Sequence, residues 1–222
     1  MPTTAIELPL FPLNVVLFPG VELPLHIFEP RYRLMIGECL EQDKPFGVVL
    51  ARPESEHLQE EPYPVGTMAE IGGLDRLKDG RLNILAIGRQ RFRILSQHRE
   101  KPYLFGLVEP YLDIVESEEV LAPYASSARD LFHSYLEILL KVVGSKDIQV
   151  DLPTTPENLS HFIAYLLDVQ DKQKQHLLEL TSTAQRLQEE IVTLRREVPF
   201  MRQVLTMSNR FRTDHPDRSI LN

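Results

Sequence analysis

A single cysteine, Cys39, in 222 residues leaves no partner for a disulfide and too few thiolates for a multi-cysteine zinc site. Tryptophan is absent. No apolar run comes near the ~20 residues that cross a bilayer. The opening MPTTAIELPL lacks the basic-then-apolar order of a secretion signal. Basic residues are also in the minority: 24 Lys and Arg face 32 Asp and Glu, a formal charge of −8. A broad, sequence-independent nucleic-acid surface is not expected of such a chain. The expectation is a soluble protein of a reducing, cytoplasmic setting, with no membrane partner and no nucleic acid.

Signatures of catalysis are equally scarce. There is no G-x-x-x-x-G-K-[ST] run, no G-x-S-x-G elbow, no H-E-x-x-H pair and no calcium loop. The seven histidines (His26, His57, His98, His133, His161, His176, His215) show no i,i+4 pair that would suit a metal on one helix face. Cys39 falls on an apolar helical stripe, where a thiol behaves as a small hydrophobe, and it is expected buried and inert. Glu118-Glu119 and Glu189-Glu190 read as exposed charges, and Glu54–Glu61 as a solvated acidic loop. No catalytic residue, cofactor or metal is expected.

The residues that are present divide into two styles, with a boundary between Asp113 and Ala122. Before it, proline and glycine punctuate short alternating segments. In Glu22–Phe28 the apolar Leu23, Leu25 and Ile27 alternate with Glu22, Pro24 and His26, the period of a half-buried strand. Further strands are expected at Ile6–Leu10, Phe46–Ala51, Met68–Ile71, Leu82–Ile87, Arg91–Leu95 and Leu104–Glu109. Pro24 marks an edge strand or bulge, since proline donates nothing to a ladder. One helix starts at Glu29-Pro30 and carries Tyr32, Met35, Ile36 and Cys39 on one face.

After the boundary the pattern is helical. A stripe from Pro123 (Leu131, Phe132, Tyr135, Ile138, Leu139, Val142) ends at Gly144, a natural C-cap. Thr154-Thr155-Pro156-Glu157 is a capping-box start. A last helix is expected over Asp171–Val198, roughly 40 Å long, with Pro199 ending or kinking it. Its seam of Leu177, Leu180, Ala184, Leu187, Ile191, Leu194 and Val198 keeps alternating spacings of 3 and 4. Such a seam packs on the chain's own helices or pairs between chains, which makes a homo-oligomer an alternative function. The arginines Arg195, Arg196, Arg202, Arg210, Arg212 and Arg218 read as a solvated helix end. The fold class is therefore α+β, with a β-rich lobe over 1–115 and a helical lobe over 116–222.

The stretch Glu7–Ile36 goes beyond a generic β pattern. Phe11-Pro12-Leu13, Leu17-Phe18-Pro19-Gly20, Leu25 and Ile27-Phe28-Glu29-Pro30-Arg31-Tyr32 together resemble the opening of the Lon N-terminal domain family. That module precedes the ATPase in Lon proteases, is associated with substrate recognition, and also occurs in the ubiquitin-ligase receptor cereblon. Phe46-Gly47-Val48, Gly66-Thr67 with Ile71, and Asp79-Gly80-Arg81 followed by Gly88-x-x-Arg91-Phe92-Arg93-Ile94 resemble later landmarks. So do Lys174-Gln175, Leu177-Leu178-Glu179 and Arg186-Leu187, which extends the resemblance over Ile6–Val198.

The resemblance implies a PUA-like pseudo-barrel with one helix, followed by a helical lobe. It also implies a non-catalytic module that binds proteins or peptides through exposed apolar segments. Such a module could adapt unfolded or degron-bearing proteins for a separate ATP-dependent protease, because the Walker-type ATPase and Ser-Lys peptidase of Lon are missing here. Among the motif residues, Phe18, Leu25, Ile27 and Phe28 are expected in the core. Pro12, Pro19 and Gly20 are expected to shape turns, and Glu29, Arg31 and Arg91 to form one partly buried ion-pair network.

Overall fold

Six strands and five helices follow in the order β1 (Ile6–Leu13), β2 (Glu22–Ile27), α1 (Pro30–Gln42), β3 (Phe46–Leu50), β4 (Val65–Arg76), β5 (Leu82–His98), β6 (Leu104–Pro110), α2 (Glu118–Val142), α3 (Pro156–Leu166), α4 (Asp171–Glu179) and α5 (Thr183–Asp214). The structure, a computed structural model, describes residues 5–52, 61–142 and 150–214. The acidic segment from Glu54, Gly144, His215 and Arg218 lie outside the described residues.

The sheet runs β2-β5-β4-β3-β1-β6, and β6 pairs back onto β5, so five strands close into a ring. β5 makes closure possible by its length. Its first half, Leu82–Ile87, pairs with β2, and its second half, Phe92–His98, pairs with β6. The sequence pattern leaves Gly88 between two strands, Leu82–Ile87 and Arg91–Leu95, rather than inside one. Gly88 is needed for a close approach: a Cβ there would collide with the Phe18 carbonyl oxygen. β1 changes partner along its course, antiparallel to β6 over Ile6–Leu10 and parallel to β3 over Leu10–Leu13.

Inside the ring, Leu8, Leu10, Val49, Phe92, Leu104 and Val108 form a small core. The Phe92 ring fits because Gly47 and Gly66 carry no side chain. A Cβ on either would come within 2.6 or 2.8 Å of its Cζ. A second, larger core gathers the inward face of α1 (Tyr32, Met35, Ile36, Cys39) with Phe18, Ile27, Phe46 and Ile84. α1 opens with Pro30 at its first turn and closes at Asp43, whose φ of 51° is left-handed.

The chain forms two compact units that are not consecutive along it. The first holds 1–115 together with 161–182, and the second holds 116–160 together with 183–222. Composition gave no sign of this return. It is explained by Ala164, Leu177 and Leu178, which belong to the α1-side core. In the second unit, α2 packs along α5, and both carry buried faces: Leu121, Ala128, Phe132 and Tyr135 on α2, Leu187, Ile191, Leu194 and Val198 on α5.

The single helix expected over Asp171–Val198 is two helices, because α4 stops at Glu179 and the backbone at Leu180 is extended (φ −67°, ψ 130°). The reason is competition for carbonyls. Arg91 takes those of Leu178 and Leu180, the Tyr111 hydroxyl takes that of Glu179, and the Ile114 N–H takes that of Thr181. Donors from the β layer therefore satisfy the orphan C-terminal acceptors of α4. The leucine seam is already used within the chain, Leu177 in the first unit and Leu187–Val198 in the second. Pro199 neither ends α5 nor stops it short of Asp214, and Pro123 lies inside α2 rather than at its start. Each proline forfeits one backbone bond of its helix.

Glu190, expected on the surface, is fully buried in the second unit. Its Oε1 accepts from Ser160 Oγ at 2.9 Å, and that hydroxyl accepts from Arg186 Nε at 2.7 Å. Burial holds the Glu190 carboxyl well above the usual carboxylate range.

Candidate functional site

The motif residues of Glu7–Ile36 and Gly88–Ile94 separate into three places in the first unit. The first is a turn: Gly20, at φ 76°, donates to the Gly88 carbonyl at 2.9 Å, and Gly88 donates to Val21 at 2.9 Å. This exchange pins Phe18-Pro19-Gly20 against β5. Phe18 is fully buried beneath it, and Thr67 Oγ1 ties down the Leu17 carbonyl at 2.6 Å.

The second place is the clasp around Arg91, which is only 3% exposed. Its guanidinium pairs with Asp113, donates to two α4 carbonyls at 2.5 and 2.7 Å, and lies 5.2 Å from the Tyr111 ring. The expected three-residue network is therefore two separate pairs. Glu29 binds Arg31 at 2.8 Å near α1, while Arg91 serves Asp113 and α4. Arg91 sits near the middle of β5, next to Phe92, and faces a segment almost 90 residues later. Such a partner leaves no trace in local spacing.

The third place is a groove of about 390 Å³ lined by Phe11, Pro12, Ile27, Phe28, Glu29 and Tyr32. Its floor is aromatic, with Phe11 and Tyr32 centroids 4.1 Å apart. The Arg31 guanidinium covers Tyr32 at 4.4 Å, fixed by Glu29. Phe28, expected in the core, is 60% exposed. The β2 alternation ends at Ile27, so Phe28 begins the turn into α1 and projects beside His26, 6.1 Å away. His26 Nδ1 in turn lies 2.7 Å from Asn83 Oδ1, and its Nε2 lies 3.4 Å from Arg81.

Leu13, Asn14, Leu25, Ala51 and Arg52 complete the lining. Sequence reasoning missed Asn14, Ala51 and Arg52. They arrive through the parallel pairing of β1 with β3, extended by the Ala51 N–H bonding the Leu13 carbonyl at 2.8 Å. No local pattern signals that pairing.

A second cavity of about 290 Å³ contains Glu38, Cys39, His98, Lys101, Tyr103 and Phe105. Its polar groups are bound to one another. Lys101 and the Tyr103 hydroxyl both bind the Glu38 carboxylate and hold it below the usual range. Burial pushes the Tyr103 phenol up to about 12 and the Cys39 thiol up to about 11. A thiol so rarely ionised is a poor nucleophile. Among the described residues, no group of three or more His, Cys, Asp or Glu side chains could hold a metal ion, and no helix is long and apolar enough to cross a membrane.

Known proteins are similar to this chain in sequence and fold. The Lon protease of Anaeromyxobacter dehalogenans (strain 2CP-C) is 29% identical over 211 residues, covering 91% of this chain and 24% of that protein. Lon protease 2 of Myxococcus xanthus is 29% identical over 210 residues, with the same coverage of each. The chain thus spans about a quarter of the length of these curated relatives. Among solved structures, a Lon N-terminal domain protein from Xanthomonas campestris matches with a TM-score of 0.63 and 26% identity, covering 84% of this chain and 98% of that one. The N-terminal domain of the Mycobacterium avium complex Lon protease, at 18% identity and a TM-score of 0.62, shares the fold. The model of the ATP-dependent protease La (LON) substrate-binding domain matches residues 7–196, and this chain belongs to that family.

Proposed function

We propose that this chain is a non-catalytic recognition module for exposed apolar segments of unfolded or degron-bearing proteins. In that role it acts in the cytoplasm as an adaptor for a separate ATP-dependent protease. The observation that carries the reading is the convergence of eight motif residues on one groove whose rim holds a 60%-exposed phenylalanine. An aromatic ring left in water beside an aromatic floor favours contact with another apolar group, at about 25 cal/mol per Å² removed from water.

Side-chain capture fits this groove better than addition of a peptide strand. Among the described residues β2 pairs with β5 alone, so its other edge is open. Pro24 sits at the centre of that edge. Its nitrogen carries no hydrogen and faces away from β5, which blunts the edge against augmentation. Catalysis has little to draw on, because the buried Cys39 thiol stays protonated and Glu38 is held by Lys101 and Tyr103.

The test is binding of a chemically unfolded protein, with its folded form as control, in the absence of ATP. Saturable binding of the unfolded form is expected, weakened by Phe28→Ser. No binding at tens of micromolar (roughly the weak end of specific recognition) refutes the reading. The adaptor role is checked by affinity capture from native lysate, where an ATP-dependent protease is expected among the captured proteins.

A further inference from the structure

We propose that the groove is selective for sequence context: it takes an extended segment in which a large apolar side chain is flanked by an aspartate or glutamate. This rests on the peptide-recognition reading and adds the chemistry of the ligand to it.

The selecting residue is Arg52. It lines the groove with Phe28 and is exposed. Two contacts hold it in place. Its backbone N–H bonds the Glu61 carbonyl at 2.9 Å, and its guanidinium lies 5.1 Å from the Tyr63 ring centroid. A guanidinium over an aromatic ring keeps its in-plane N–H fork available for a carboxylate.

The neighbouring cations are already engaged. Arg31 binds Glu29 at 2.8 Å and Arg81 binds Asp79 at 2.7 Å. Among the described residues, Arg52 has no carboxylate at ion-pair distance. The charged residues of the lining are Glu29, which Arg31 engages from beside the groove, and Arg52, whose charge no described carboxylate meets. Charge complementarity assigns the missing anion to the ligand, next to the apolar group that Phe28 receives.

Three labelled peptides test this by fluorescence anisotropy with the full chain. One carries a phenylalanine flanked by glutamates, one has the glutamates replaced by lysines, and one has the phenylalanine replaced by serine. The glutamate peptide is expected to bind about fivefold to tenfold more tightly than the lysine peptide, with the preference shrinking as salt rises. Arg52→Glu is expected to reverse the order of these two, and Phe28→Ser to weaken both about tenfold. Both side chains are exposed, so unchanged thermal melts are expected and separate lost binding from lost folding.

An unaltered glutamate preference in Arg52→Glu overturns the inference, as does full binding by Phe28→Ser or by the serine peptide. Weaker binding of unfolded protein by Phe28→Ser, with the glutamate preference unaltered in Arg52→Glu, overturns the inference while leaving the recognition reading standing. Binding of neither unfolded protein nor peptides by the unaltered chain overturns both.

Discussion

Replacing Arg91 by methionine tests the division of the motif into scaffold and groove. Arg91→Met keeps an unbranched stem of similar bulk and removes the guanidinium, which is 3% exposed in the native chain. Two α4 carbonyls then lose their donors, and Asp113 loses its counter-ion. An orphaned buried acceptor costs about 1–3 kcal/mol, and breaking a buried ion pair about 3–5 kcal/mol. These overlap rather than add, and Asp113, at 18% exposure, reaches some water. The expected loss is about 3 kcal/mol, which at about 2–4 °C per kcal/mol lowers Tm by roughly 6–12 °C. Arg31→Met is the control. Its pair with Glu29 is 30% and 39% exposed, so the expected cost is below about 1 kcal/mol. Thermal melts followed by circular dichroism give both numbers. Amide exchange at Leu180–Thr183 should also accelerate in Arg91→Met alone, since the end of α4 loses its anchor. If Arg91→Met melts within about 2 °C of Arg31→Met, the clasp is energetically idle and the argument fails.

Further outcomes follow from other residues. Gly88→Ala should cost about 2 kcal/mol or more, because its Cβ meets the backbone of Phe18. Gly20→Ala, with open space but a φ of 76°, should cost only about 1 kcal/mol; denaturant midpoints that rank them the other way contradict the packing argument. Alkylation of Cys39 at mildly alkaline pH should be at least about 100-fold slower in the native chain than in urea, since burial lifts its thiol to about 11 from 9.0. Comparable rates would mean an accessible thiolate.

Glu190 gives a pH dependence. The folded second unit keeps a proton that the unfolded chain releases near 4.5. Its contribution is complete below that pH and declines as pH rises toward the higher folded value. Glu190→Gln should flatten the decline. Parallel melting curves against pH for the two proteins would contradict it.

The strands and α1 were legible because each obeys a local period, two in β2 and near 3.6 in α1. What the sequence concealed was long-range. The seam from Leu177 to Val198 keeps helical spacing straight through Leu180–Ser182, so periodicity cannot show a break imposed by Arg91, Tyr111 and Ile114. Gly88 falls between two short alternating runs because it has no side chain to carry the period, and only the position of Phe18 shows why glycine is needed there. Phe28 follows directly on the alternating run of β2, yet it lies one residue past the strand and outside its burial rule. Two thirds of the groove was visible as motif residues. Arg52 was not, because it is delivered by a parallel pairing across the α1 crossover.

The interleaving of the two units bears on how the molecule is made. The polypeptide passes between them after residues 115, 160 and 182. A ribosome therefore emits the opening part of the helical unit before the β unit has received Ala164, Leu177 and Leu178. Neither portion can be excised whole by a single cut. A product released at Val115 would lack the chain that seals its apolar interior, so maturation of the β unit has to wait for synthesis to pass Ser182.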